Sequence, residues 1–228
     1  MLSHLRPALV MIVLFTALTG LAYPLAITGI AQAVLKGPAD GSLITRNGVV
    51  VGSALVGQNF ATDRYFQGRP SATSAPDPKD ATKTIDAPYN AANSSGSNLG
   101  PTSQKLIDRV KASVTALGGS PSRYVPADAV TTSASGLDPD ISPAFAAMQV
   151  ERVAGARKLD AAKVQALVVA NTVGSSLFDT NRVRVLQLNV ALEDLDPTPA
   201  PAASSTTKPA DKADVGAGTG RAMSEPAR

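Results

Sequence analysis

Apolar residues run without a charge from Ala8 to Leu35, between Arg6 and Lys36, and this pattern predicts a membrane-spanning helix. At ~1.5 Å per residue such a helix reaches roughly 40 Å, enough to cross a hydrocarbon core of about 30 Å with some tilt. Leu14, Phe15, Leu18, Leu21, Leu25 and Ile27 supply its apolar surface. Pro24 removes one helical hydrogen bond, which predicts a kink or a partner helix nearby. The competing reading is a cleaved secretory signal, since Ala31-Gln32-Ala33 fits a small-x-small cleavage site. The h-region of a signal is about 7–15 residues, shorter than this run. Either way the rest of the chain crosses a membrane. The orientation expected is residues 1–7 inside, 8–35 in the bilayer and the bulk outside, because the charge rule loses force for long translocated domains.

Past the anchor the period of the pattern changes. Leu43-Ile44-Thr45-Arg46 and Val49-Val50-Val51-Gly52 flank Asn47-Gly48, the dipeptide that best tolerates the positive φ of a tight two-residue turn, so a β-hairpin is expected. From Ala61 to Pro101 Ser, Asn, Asp, Pro and Gly dominate without sustained periodicity. That is far longer than the ~12–15 residues usual for a structureless connection, so the segment is expected to be mobile or ordered by a partner. Leu106, Val110, Val114 and Leu117 then repeat at helical spacing until Gly118-Gly119. A second polar loop, Ser120 to Asp140, leads to Ser142-Pro143, a cap followed by the residue best suited to the first helical position. The helix that follows runs to Arg157 and presents Ile141, Phe145 and Met148. A third helix is capped by Asp160, carries Val164, Leu167 and Val168, and meets Gly174.

Val183 to Leu192 alternates, with Leu186, Leu188, Val190 and Leu192 on one face, and predicts a strand pairing with the first hairpin. From Pro197 the chain is Pro, Ala, Ser, Thr and Lys with almost nothing to bury, so residues 197–228 are expected to be a disordered tail. The fold class expected is α+β: one N-terminal transmembrane helix, then one extracytoplasmic domain over residues 36–196 with a small antiparallel sheet and about three helices.

Composition narrows the function. Anchor and tail removed, the 228 residues leave about 150–160, one ordinary domain. There is no cysteine, which excludes disulfides, thiol chemistry and cysteine-ligated zinc. Net charge is +3 with acids and bases interleaved and 4% aromatic residues, so the basic stripe and stacking platform of a nucleic-acid binder are missing. The only histidine is His4, beside the anchor, which rules out a Ser-His-Asp site in the domain.

A serine–lysine dyad could use Ser71, Ser95 or Ser133 with Lys83 or Lys105, although loop serines are usually turn formers. No G-x-x-x-x-G-K-[ST] run exists to cradle phosphate. Asp80-Ala81-Thr82-Lys83-Thr84 only faintly resembles the aspartyl-phosphate motif of ion pumps and lacks its spacing. Asp138 and Asp140, just before the second helix, suit the positive end of its dipole better than a metal.

The distinctive signatures are Gly57-Gln58-Asn59-Phe60, Tyr65-Phe66-Gln67-Gly68-Arg69-Pro70-Ser71-Ala72, Tyr89-Asn90 and Gly96-Ser97-Asn98-Leu99-Gly100-Pro101. Tyr65, Phe66 and Arg69 are residue types that anchor protein interfaces, although a Tyr-Phe pair more often covers its own core. The partner-contact candidates are Gln58, Phe60, Tyr65, Phe66, Arg69, Tyr89, Asn90, Ser97, Asn98, Asp138 and Asp140.

With Ser95 to Pro101, Ser133-Ala134-Ser135-Gly136-Leu137-Asp138-Pro139, Gln149 with Arg152-Val153-Ala154, and Val185-Leu186-x-Leu-Asn189 in the same order, the chain resembles the KdpC family, the C subunit of the Kdp potassium-transporting ATPase, over residues 1 to about 192. Two departures stand out. The family usually has histidine where Asp140 stands, and Ser175 to Arg184 differs from its usual approach to the last strand. The resemblance implies a non-catalytic subunit of an ATP-driven, high-affinity potassium import pump in the bacterial cytoplasmic (inner) membrane. Its implied partners are a channel-like subunit, a P-type ATPase subunit that carries out the hydrolysis, and a small membrane subunit as a further candidate. It also implies a catalytic chaperone that raises the ATPase subunit's affinity for ATP. No directly bound cofactor is expected, with ATP and potassium reached through the complex. The rival function is a membrane-anchored envelope-binding module using the Asn/Ser-rich loop for glycan hydrogen bonds.

Overall fold

The structure is a computed structural model that describes residues 4–174 and 180–196. The tail expected from Pro197, and the part of the Ser175–Arg184 departure at 175–179, lie outside the described residues.

The apolar run forms one continuous helix, α1, Leu5–Val34, none of whose most apolar window is buried against the rest of the protein. Its middle is π-helical over Leu18–Ala22, where the Tyr23 N–H reaches back to the Leu18 carbonyl. In a regular α-helix the Pro24 ring would press on the carbonyl of Gly20. The wider π turn is the local answer to Pro24, in place of a broken helix. The Thr19 hydroxyl donates to the Phe15 carbonyl (2.7 Å), keeping its polar hydrogen satisfied within an apolar setting.

A single turn, α2 (Lys36–Ala39), follows, and Gln32 Nε2 of α1 donates to Asp40 Oδ1 (3.0 Å) across it. The expected hairpin is present as β1 (Leu43–Arg46) and β2 (Val49–Ser53), with Asn47 and Gly48 at φ 52° and 78°. Both positive angles are what a type I′ turn requires.

The segment from Ala61 to Pro101 is not structureless, which corrects the sequence expectation. It contains a second antiparallel hairpin, β3 (Ser74–Asp77) and β4 (Asp80–Asp86), and a 3-10 turn at Ala91–Asn93. The hairpin escapes a pattern search because it carries Pro76, Thr and Asp and buries little, so no alternation marks it. Its base is closed instead by Thr73, whose hydroxyl donates to the Ala87 carbonyl (2.6 Å), and by Asn90 Nδ2, which donates to the Ser74 carbonyl (2.8 Å).

Helix α3 (Gln104–Ala116) packs Val110, Val114 and Leu117 against the core, as its spacing predicts. A short α4 (Ala127–Val130) and β5 (Asp140–Ile141) interrupt the second polar loop. Next come α5 (Pro143–Arg157) and α6 (Ala161–Ala170), with Ser142 accepting from the Phe145 N–H and Asp160 from the Ala162 N–H. The carboxylate at the start of α5 is that of Asp128, which accepts from both the N–H and the hydroxyl of Ser142. Asp138 and Asp140 pair with arginines instead of capping.

The expected strand over Val183–Leu192 is the main correction. Only β7 (Arg182–Arg184) is extended, and it pairs with β5 and β6 (Thr172–Val173), not with the first hairpin. From Val185 to Leu195 the chain is a helix, α7. Val185, Leu188, Asn189 and Leu192 are buried together at the 3-4 spacing of a helix, and the branched run obscured that second period. The core gathers α5, α6, α7, β7 and Phe66.

Candidate partner interface

A strap from Asp63 to Arg69 crosses the core, held by side chains of α5 and α7. Phe66 at its centre is fully buried, and both its backbone polar groups are met by one amide: its N–H donates to Asn189 Oδ1 and its carbonyl accepts from Asn189 Nδ2, each at 2.9 Å. Gln149 treats Gln67 the same way, accepting from its N–H (2.8 Å) and donating to its carbonyl (3.1 Å). Each amide thus imitates a neighbouring β-strand for one residue. Arg152 braces the arrangement by donating to Gln149 Oε1 and to the carbonyls of Asp63 and Tyr65, and burial holds its pKa below the usual arginine range. At the strap's start the buried Arg157 donates to the Arg64 carbonyl (2.6 Å) and to Glu193, and stacks 4.9 Å from the Tyr65 ring centre. Burial and the Glu193 carboxylate together raise the Tyr65 pKa.

At its other end the strap enters a knot of the glycine-punctuated signatures. Arg69 donates to Asp138 Oδ2 (3.0 Å), and the Tyr89 hydroxyl donates to the Arg69 carbonyl (2.7 Å). Ser71 donates to the Gly136 carbonyl and accepts from the Tyr89 N–H. Side chains are excluded at Gly57 and Gly68 by close neighbours: a Cβ at Gly57 would sit 2.4 Å from the Asp138 carbonyl oxygen and 2.6 Å from the Tyr89 ring, and one at Gly68 2.2 Å from the Tyr89 hydroxyl. Burial, aided by the Asp138 charge and opposed by Arg69, pushes the Tyr89 pKa up to about 12. Burial also raises Asp140, against the opposing pull of Arg182, which pairs with it at 2.9 Å.

Eight of the eleven sequence candidates therefore meet around this strap and knot. Beside Phe66, Arg69 and Tyr89 stand Tyr65, Phe60 with its ring 5.5 Å from that of Tyr65, Asn90 at the hairpin base, and Gln58, which donates to the Val51 carbonyl (2.8 Å). Asp138 joins them through Arg69, Ser97 only accepts from the Thr132 hydroxyl, and Asn98 is exposed at φ 50°. Gln149, Arg152, Arg157 and Asn189 do the holding and were not among the candidates. The signal available was a polar side chain at a core position of an apolar helix.

Between the knot and α3 lies a cleft of about 440 Å³, with Phe60, Phe145 and Leu117 among its apolar walls and Asn59, Gln67 and Arg69 among its polar ones. Its wall mixes aromatic surface with hydrogen-bonding groups. The partners of the Ser71 hydroxyl are Thr73, Gly136 and Tyr89, while Lys83 pairs with Asp80. Among the described residues no group of three or more His, Asp and Glu side chains gathers as a metal site would.

The family model described as "K+-transporting ATPase, c chain" matches residues 5–194. The potassium-transporting ATPase KdpC subunit of Bradyrhizobium diazoefficiens is 58% identical over 196 residues, covering 85% of this chain and 98% of the relative. That of Methylobacterium nodulans is 59% identical over 198 residues, covering 86% and 98%, and that of Methylorubrum extorquens is 57% identical over the same span. With the long apolar helix, the strap and the closing helix all inside the matched region, the chain belongs to the KdpC family of potassium-transporting ATPase subunits.

Proposed function

We propose that this chain is a non-catalytic subunit of a potassium-importing pump of the bacterial cytoplasmic membrane, held by α1 with its domain on the outer side. The observation that carries this reading is the unbroken match over residues 5–194, which takes in an apolar helix with no burial inside the protein and the domain it precedes. Its partners are a channel-like subunit, which the cleft and the surrounding loops contact at the outer mouth of the pump, and a P-type ATPase subunit that hydrolyses ATP. Influence on ATP is indirect: a subunit that binds one pump conformation more tightly shifts nucleotide affinity without touching nucleotide.

Purification in mild detergent tests assembly, with two large, many-spanning proteins expected alongside this chain. ATPase assays on the pump with and without the chain test the coupling. Omission should raise the ATP concentration needed for half-maximal rate. An unchanged ATP dependence in a pump that assembles fully overturns the chaperone role.

A further inference from the structure

Four large apolar residues, Leu43, Val49, Val50 and Leu55, are each more than half exposed on or beside the β1–β2 ribbon. Leu43 and Val50 lie on one side of the ribbon and Val49 stands opposite Arg46 on the other, and neighbouring exposed apolar side chains such as the first two are the kind of surface that meets another phase or partner. The ribbon's inner side faces α7: Arg46 pairs with Asp194 (2.8 Å), and a Cβ on Gly52 would sit 2.7 Å from Leu186 Cδ2. Thr45 pairs with Val50, and Leu43 lies two residues along the same strand from Thr45, so these three share the outer side.

The base of the ribbon is tied to the end of the span. Gln32 of α1 bonds Asp40, the Ser53 hydroxyl donates to the Gly41 carbonyl (2.7 Å), and the Ala54 N–H donates to the Ser42 carbonyl (2.9 Å). At ~3.3 Å per residue, no part of so short a ribbon is more than about 15 Å from that base. The headgroup layer beside the hydrocarbon core is itself about 5–8 Å deep. From Leu43 to Leu55 there is no acidic residue to repel anionic headgroups, and Lys36 at the end of α1 is basic.

We propose that the outer face of the β1–β2 ribbon lies in the lipid headgroup layer beside α1, so that the domain rests on the bilayer as well as hanging from it. The inference rests on α1 remaining attached, which an intact mass measurement on the same sample checks separately. Because the chain has no cysteine, Val50→Cys and Leu43→Cys each offer a single labelling site at an exposed position. The full chain, alone and in the assembled pump, is labelled with an environment-sensitive dye and reconstituted into phosphatidylcholine/phosphatidylglycerol vesicles. Quenching by doxyl-labelled lipid several-fold stronger than by aqueous iodide, at both positions and in both samples, is the expected result. Quenching by iodide with no effect of doxyl lipid overturns the proposal. Protection from both quenchers in the assembled pump also overturns it, assigning the face to a protein partner.

Discussion

Replacing Asn189 by leucine tests whether the strap is held by the chain's own core. Leucine keeps much of the volume but leaves the Phe66 N–H and carbonyl without partners in a place where Phe66 is 0% and Asn189 1% exposed. An unsatisfied buried backbone group costs about 1–3 kcal/mol, so the pair costs roughly 2–6 kcal/mol. That is a large share of the ~5–15 kcal/mol that stabilises a typical domain. At about 2–4 °C per kcal/mol for this size, the melting temperature should fall by roughly 5–20 °C. The assay is thermal unfolding of the detergent-solubilised chain by far-ultraviolet circular dichroism, run beside co-purification of the pump. If Asn189→Leu melts within about 2 °C of the parent yet loses its partners, the strap is ordered from outside and the reasoning fails.

Arg69 and Asp138, with side chains 26% and 28% exposed, should show a coupling of about 1 kcal/mol in a double-mutant cycle of Arg69→Ala and Asp138→Ala followed by thermal unfolding. Tyr89 ionises at about 12 in the fold against 10.0 in the unfolded chain, so stability should fall as pH rises from 10.0 towards 12, where only the unfolded chain sheds that proton. Tyr89→Phe should flatten that part of the stability profile while losing about 1 kcal/mol at neutral pH with the hydrogen bond to the Arg69 carbonyl. Asn59→Trp, at an exposed position on the cleft wall, should lower co-purification of the pump without lowering the melting temperature of the isolated chain.

The elements legible in the sequence are those whose signal is local. Asn47-Gly48 imposes its turn, Ser142-Pro143 and Asp160 start their helices, and the charge-free run from Ala8 to Leu35 forms the long apolar helix, because each acts on the residues beside it. The β3–β4 hairpin carries no apolar alternation to read, because polar side chains at its base, Thr73 and Asn90, close it by hydrogen bonds to backbone carbonyls. The strand expected over Val183–Leu192 failed because alternation and helical spacing coexist there, and contact with Phe66 decides between them. Phe66, an interface candidate from a Tyr-Phe pair of the kind that more often covers its own core, is a core residue. Apolar content alone could not order the strap; two side-chain amides from helices far along the chain supply its backbone partners.

Those long-range bonds converge on α7. Its Asn189 holds Phe66, its Glu193 binds Arg157, Asp196 just past its end binds Arg64, Asp194 binds Arg46 of the ribbon, and Leu186 lies against Gly52. The ribbon beside the end of α1 and the strap that leads into the cleft are therefore both fastened to one helix. The buried amide contacts are costly to break, whereas the Arg46–Asp194 pair, with Asp194 largely exposed, is worth little. A displacement of the ribbon relative to the cleft should accordingly be taken up at the Arg46 end of α7 while Phe66 stays seated. A pump partner that changes its distance from the membrane anchor during the transport cycle would meet a cleft of constant shape on an adjustable mount.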